Sequence, residues 1–235
     1  MRLLALPSFL LLLAATSKAA VTITYTNELG TGVSGSLFTP SYAVSSTDLI
    51  NGKAPTASSG TFNLEQAGGS AVVTDGSFGQ IRTGDQPADG HTIFATVGNT
   101  GGTSLSYNLG ANATGYAISN ITVLGGWNDN GRDQLSFTIF YSLVGSSTFT
   151  ALPTANFNPA IVGSTQSANR AVITDGSVPF FLTGVDDIRI DFNATENGYA
   201  GLAELDVYGS AVPEPGVSLL GALGSLTLLM RRRRN

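Results

Sequence analysis

Apolar residues in this chain recur at every second position, and that period leaves little choice of fold. Leu135, Phe137, Ile139, Tyr141 and Leu143 share one side of a run whose other side carries Ser136, Thr138 and Ser142. Ile188, Ile190 and Phe192 alternate with Asp187, Arg189 and Asp191, and Ala203, Leu205 and Val207 with Glu204, Asp206 and Tyr208. A period of two with one apolar face specifies half-buried strands of antiparallel sheets. The segment from Val21 to Tyr25 alternates from the start, and further strands are expected near 92–97, 104–109, 116–124, 147–152, 169–174 and 178–183. Between the two ends of the chain no helical periodicity of useful length competes with them. Many short strands separated by Gly, Ser, Thr and Asn predict an all-β, antiparallel sandwich or jelly roll. The roughly 190 residues from Ala20 to Ala211 suffice for one such domain with a sizeable core.

Composition narrows the chemistry. The 235 residues include no Cys and one His, His91. Disulfides, thiol nucleophiles, Cys-ligated zinc and His-cluster metal sites are excluded, and a Ser-His-Asp triad would hang on one residue. The formal charge of −5 understates the acidity of the body: between Ala20 and Ala211 five basic residues face fifteen acids. Such a body repels phosphate backbones and anionic lipid heads, so nucleic acid is not an expected partner.

Both ends read as sorting segments. Arg2 precedes an apolar run from Leu3 to Ala15 that only Pro7 and Ser8 interrupt, and Ser17-Lys18-Ala19 offers small residues for cleavage before Ala20. Residues 1–19 therefore read as a secretory signal peptide, cut between Ala19 and Ala20 by a signal peptidase. At the other end Val212-Pro213-Glu214-Pro215-Gly216 precedes fourteen uncharged residues, 217–230, and then Arg231, Arg232, Arg233, Arg234 and Asn235. A helix over 217–230 would span roughly 21 Å, short of a hydrocarbon core of roughly 30 Å. The arginines hold their end in the cytoplasm and can snorkel to extend the span, so the segment is expected to be a short transmembrane helix.

The order Pro-Glu-Pro, short apolar helix and arginine cluster resembles the PEP-CTERM sorting signal of bacteria that make exopolysaccharide. That resemblance covers 212–235 and implies recognition by an exosortase-like membrane enzyme, with Pro213-Glu214-Pro215 acted upon rather than acting. It further implies an exported precursor, anchored in the inner membrane through its C-terminal helix, which ends at the cell surface or in the extracellular matrix.

Ala71-Val72-Val73-Thr74-Asp75-Gly76-Ser77 nearly returns as Ala171-Val172-Ile173-Thr174-Asp175-Gly176-Ser177. Two copies make no solenoid, and Asp-Gly is a common turn signal, so the expectation is two similar turns.

The body resembles the galactose-binding-like jelly roll, the group of discoidin and coagulation-factor type C domains and many bacterial carbohydrate-binding modules. Four pieces carry the resemblance, in the group's order. Val73 to Gly76 is similar to its early Asp-Gly loop, and Leu105 to Gly110 followed by Ile118 to Val123 to its paired core strands. Arg132 followed by Phe137 to Ser142 is similar to its Arg-to-strand segment, and Gly184 to Phe192 then Ala203 to Gly209 to its closing strands. The resemblance implies one structural calcium ion between the early loop and the last strand, with Asp75 and Glu204 as carboxylates and loop oxygens around Val73 and Ser77. Calcium accepts six to eight hard oxygens, backbone carbonyls included, which suits a Gly-rich loop. Glu204 equally fits an exposed strand position.

Modules of this group bind sugars through loops at one end of the sandwich. The segment Trp127-Asn128-Asp129-Asn130-Gly131-Arg132-Asp133 is the best such loop, with the only Trp as a stacking platform and Asn128, Asp129 and Arg132 as hydroxyl partners. The alternative is that Trp127 caps the core while Arg132 pairs with Asp129 or Asp133. His91 reads as polar loop surface. Catalysis finds little support: Asp129/Asp133 and Asp186/Asp187 are the candidate glycosidase pairs, yet turn surface explains both. No Gly-x-Ser-x-Gly elbow, phosphate loop or dinucleotide fingerprint occurs. The expected protein is a non-catalytic binder of extracellular polysaccharide; the alternatives are a structural or adhesion matrix protein without sugar recognition and, more remotely, a glycoside hydrolase.

Overall fold

The computed structural model describes residues 20–60, 62–63, 69–82, 95–98, 103–193, 198–214 and 216. Residues 1–19, where the signal peptide is expected, His91, Pro215 and everything from 217 onward lie outside the described residues. In chain order the strands are β1 (Thr22–Leu29), β2 (Leu37–Phe38), β3 (Ala57–Ser59), β4 (Phe62–Asn63), β5 (Ile81–Arg82), β6 (Ala95–Gly98) and β7 (Ser104–Asn108). Then follow β8 (Tyr116–Trp127), β9 (Leu135–Leu143), β10 (Thr150–Ala151), β11 (Ala155–Phe157), β12 (Ser167–Thr174), β13 (Leu182–Phe192) and β14 (Tyr199–Ala211). A 3₁₀ turn, Gly69–Thr74, stands between β4 and β5. Every strand pairing is antiparallel, as the period-two pattern predicts.

The strands form two layers. One runs β1-β12-β8-β14-β6-β4, and the other runs β3-β7-β13-β9 with β10 and β11 on the far edge of β9. They are joined where β13 changes partner: Leu182 and Val185 pair with Ile118 and Tyr116 of β8, and from Val185 onward, with a register shift before Asp187, the strand pairs with β9. Gly184 sits in that crossover at φ 74°, a left-handed conformation that glycine adopts without steric cost. Between the layers Ile121, Val123, Leu205 and Val207 meet Leu105, Phe137, Ile139 and Ile190.

The outer face of the β8–β14 layer is not solvated. Leu124, Ala168 and Ala203 on that face pack with Phe78, Ile81 and Trp127, and Phe38, Tyr42 and Val44 close over them. The long connections around β2 and β5 thus form a third layer, so β14 is buried on both faces from Ala200 to Val207. That corrects the one-sided reading of β14.

Two expected strands are shorter than their patterns. The segment 178–183 enters strand only at Leu182, because Pro179 has no N–H to donate to a ladder. Only Thr150–Ala151 of 147–152 pairs, against Tyr141 and Phe140. The near-repeat divides. Ser77 N donates to Asp75 Oδ1 at 2.9 Å and Ser177 N to Asp175 Oδ1 at 3.0 Å, so the two turns match as read. Their leading tetrapeptides do not: Ala71–Thr74 lies in the 3₁₀ turn and Ala171–Thr174 in β12.

Truncation of Ile121, fully buried between the layers, is expected to cost about 2–5 kcal/mol. Val162→Ala, at a residue 85% exposed, should cost about 0.5 kcal/mol or less. Urea unfolding of both variants checks the difference, and comparable losses would contradict this core.

Candidate functional site

The loop end of the sandwich is built around the end of β8. Gly126, at φ 152°, departs from regular strand, and Trp127 turns onto the outer face with Leu124. Gly201 makes room for it: a Cβ there would lie 2.0 Å from the Gly126 carbonyl oxygen and 2.9 Å from Trp127 Cε3. Trp127 is only 5% exposed. Its ring carries the Arg132 guanidinium 5.0 Å from the centroid, and Tyr199 at the start of β14 lies equally close to the same guanidinium. The three side chains form a Trp127–Arg132–Tyr199 column held by cation–π attraction.

The rest of the loop is tied down. Gly131 N donates to Asp129 Oδ1 at 2.8 Å, Asn130 N to the Gly163 carbonyl at 3.3 Å, and Gly201 N to the Arg132 carbonyl at 2.7 Å. Asp133 is buried; Asn169 Nδ2 donates to its carbonyl at 2.6 Å and Ser167 Oγ to its Oδ2 at 3.4 Å. Asn128, Asp129 and Arg132 remain half-buried. Of the two readings of Trp127, the geometry matches the core cap: its ring is not an open platform, because the polar partner expected beside it lies over it. Tyr199 was not found in the sequence, since it joins the loop only through the pairing of β14 with β8.

A second group lies beneath the covering layer. Glu204 and Asp206, two residues apart on β14, are both fully buried. Gly76 N donates to Glu204 Oε1 at 3.0 Å, so the early Asp-Gly loop and the last strand do meet as the resemblance implied. Asp75 itself is exposed, and Ser77 is half-buried. The segment before β3 supplies Asp48 and Asn51, which the sequence did not single out. Asp48 Oδ1 accepts from Ile50 N at 2.9 Å and Val207 N at 3.2 Å, and Asp206 Oδ2 accepts from Ser45 N at 3.2 Å and Tyr208 OH at 2.9 Å.

In each carboxylate one oxygen is satisfied and the other is not. Asp48 Oδ2, Asn51 Oδ1, Glu204 Oε2 and Asp206 Oδ1 are buried without a hydrogen-bond partner. Unpartnered buried acceptors are rare and costly, and four oxygens of one polarity in neighbouring segments suit a cation better than a donor. Among the described residues no three His, Cys, Asp or Glu side chains converge as a ready-made metal centre. An ion here would need Asn51 and main-chain carbonyls in addition, a donor set that fits calcium and does not fit zinc.

Electrostatics agree. Burial, with the nearby charges of Asp206, Asp75 and Asp48, outweighs the Gly76 hydrogen bond and raises Glu204 to about 9. Burial raises Asp206 to about 6 and also raises Asp48, while it lowers the ammonium of Lys53. The remaining acid pair, Asp186/Asp187, lies within β13 and not in the turn expected of it: Asn108 Nδ2 and Ser142 Oγ on the neighbouring strands donate to Asp187, each at 2.9 Å.

No protein-family model matches the chain, and no curated protein matches it. Several solved structures are similar. A family 32 CBM from C. perfringens NanJ, solved in complex with galactose, is 16% identical, with 64% of this chain and 91% of that one covered at a TM-score of 0.40. A fucose-binding module from Streptococcus pneumoniae is 16% identical over 69% and 97% of the two chains at 0.39. A mutant of the lectin-binding domain of lectinolysin complexed with Lewis b is 14% identical over 72% and 99% at 0.42. At these identities no residue role passes from one chain to the other.

Glu204 carries a pH dependence. Its folded value of about 9 exceeds its ordinary 4.5, so between those values the folded state keeps a proton that the unfolded state has lost. Stability in chelator should therefore fall as pH rises through that window. Glu204→Gln should flatten the fall in a series of melting curves, and a wild-type curve independent of pH would contradict the assignment.

Proposed function

We propose that this chain is an exported, non-catalytic carbohydrate-binding protein whose partner is extracellular polysaccharide. The observation that carries the reading is the Trp127–Arg132–Tyr199 column at the loop end. Two aromatic faces pre-order a guanidinium beside half-buried Asn128 and Asp129, so a fork of donors and a carboxylate acceptor meet vicinal hydroxyls with little ordering cost. In this reading Arg132, Asn128 and Asp129 contact sugar, Tyr199 offers ring surface, and Trp127 supports the arginine from below. The rival reading, a structural or adhesion matrix protein that takes no sugar, draws on the burial of Trp127.

Calcium belongs to the proposal as a structural ion. Glu204 and Asn51 would hold it with main-chain oxygens of the Asp75 and Ser77 loop, and Asp48 and Asp206 would add negative charge nearby. Bound there, it would offset the buried negative charge and tie the covering layer to β14. Addition of calcium should raise the melting temperature and chelator should lower it; identical melting curves in both would remove the ion from the proposal.

Export follows the ends of the chain. Signal peptidase would cut after Ala19, and an exosortase-like enzyme would act at Pro213-Glu214-Pro215 once the apolar segment 217–230 and Arg231 to Arg234 anchor the precursor. Val212 is held by the sandwich through its N–H to the Gly115 carbonyl at 2.9 Å, and Pro213 and Glu214 are exposed beyond it. Among the described residues no helix is long and apolar enough to cross a membrane, and 217–230 lies outside them.

A glycan array that includes the host's exopolysaccharide tests the binding. Arg132→Ala should weaken retention roughly tenfold or more, the loss expected of hydrogen bonds to a charged group, with the fold intact. Trp127→Ala should instead lower stability by about 3–5 kcal/mol, as for other buried aromatics. A folded protein that binds no glycan would favour the matrix reading.

A further inference from the structure

We infer that the end of the sandwich from which β14 leaves is a membrane-apposed face, resting on the bilayer while the precursor is anchored. The inference rests on the reading of 217–230 as a membrane-embedded segment.

Among the described residues the exposed large apolar side chains fall into two groups, one at each end of the sandwich. Leu143, Val144, Val178 and Phe180 are 44%, 39%, 42% and 45% exposed. Strand register brings all four to the end where the chain exits. Ala211 pairs with Tyr116, Tyr116 with Val185, and Val185 with Leu143. Val144 N donates to the Gly184 carbonyl at 3.0 Å and Phe181 N to the Ile118 carbonyl at 2.9 Å, so Val144 and Phe180 flank the same edge. Val178 belongs to the turn that follows β12, and Thr22 at the start of β1 pairs with Thr174 there, so both ends of the sandwich chain leave on this side.

Reach supplies the occupant. Val212, hydrogen-bonded to Gly115, is five residues from Val217, where the uncharged run begins. Five extended residues span at most about 18 Å, so no long tether separates this end of the sandwich from the anchored segment. An apolar rim that close to the bilayer would have lipid to cover it. The contact is apolar rather than charge-driven, because Asp186 and Asp187 lie at the same end and repel anionic heads.

The second group, Leu29, Val33, Leu37 and Val162, lies at the opposite end: Leu29 pairs with Ser167, which pairs with Trp127, and Gly163 accepts from Asn130 N. Twelve residues of β8 separate the two ends, roughly 40 Å. With the rim on the bilayer, the Trp127–Arg132–Tyr199 loop faces away from it.

The absence of cysteine makes the test direct. Full-length precursor carrying Val144→Cys, Phe180→Cys or Val162→Cys is labelled with an environment-sensitive fluorophore and reconstituted in phosphatidylcholine vesicles with or without lipid-borne spin-label quenchers. The expected result is a blue shift and loss of most emission to the quencher at positions 144 and 180, with neither at 162. Unquenched labels at 144 and 180 on protein that floats with vesicles overturn the apposed face and leave the anchor standing. A blue shift at 144 and 180 without lipid quenching assigns the rim to the chain's own apolar segment and also overturns it. Equal quenching at 162 does the same, as non-specific adsorption. Protein that does not float removes the anchor and the inference with it.

Discussion

The pairing of β8 with β14 is the interaction on which the rest of this structure depends. The two strands run together from Leu202 and Gly125 to Ala211 and Tyr116, and both faces of the ribbon are covered along most of its length. Ile121, Val123, Leu205 and Val207 seal the inner face against the second layer, while Leu124 and Ala203 receive the third layer on the outer face. Register shifts at Leu202/Glu204 and at Tyr208/Gly209 let side chains change face along β14. The first of these sets Ala203 against the covering layer and places Glu204 and Asp206 under it.

The same ribbon organises both candidate sites and separates them. At one end it brings the rings of Trp127 and Tyr199 each to 5.0 Å from the Arg132 guanidinium. Farther along it holds Glu204 and Asp206 beneath Asp48 and the Gly76 loop. A strand buried on both faces should not carry two carboxylates unless something offsets their charge. Partial hydrogen bonding and raised proton affinity do so in part, and the unpartnered oxygens leave room for a cation to complete it. Stability of the covering layer and occupancy of that group are therefore one problem, since the loops that would ligate an ion are the loops that form the layer.

Much of this was legible in the chain. The strand at 135–143 follows directly from alternation, because an apolar face with period two has no other stable use. Those expected near 104–109 and 116–124 stand at 104–108 and 116–127, the latter running on to Trp127, which reads from sequence as loop. The meeting of the Asp75–Gly76 loop with Glu204 was implied by the resemblance of those segments. Burial of Glu204 and Asp206 was not legible, since a strand covered on both sides by distant loops looks, residue by residue, like one covered on a single side. Asp48 and Asn51 stayed hidden for a related reason: they sit in a connection without periodicity and acquire meaning only from the strand they cover. The repeated Ala-Val-Val/Ile-Thr tetrapeptide makes the same point, a 3₁₀ turn in one place and a ladder strand in the other, because pairing partners overrule local preference.

What the amino-acid sequence determined by itself was the class of fold, the acidity of the body and the exclusion of thiol and His-cluster chemistry. These depend on local period, composition and order, which survive without coordinates. The tertiary structure decided which face of Trp127 is covered, which acids are buried together and which apolar side chains surround the chain's exit. Each of those is a property of residues far apart in the chain, set by strand register and by bulges, and no local pattern encodes it.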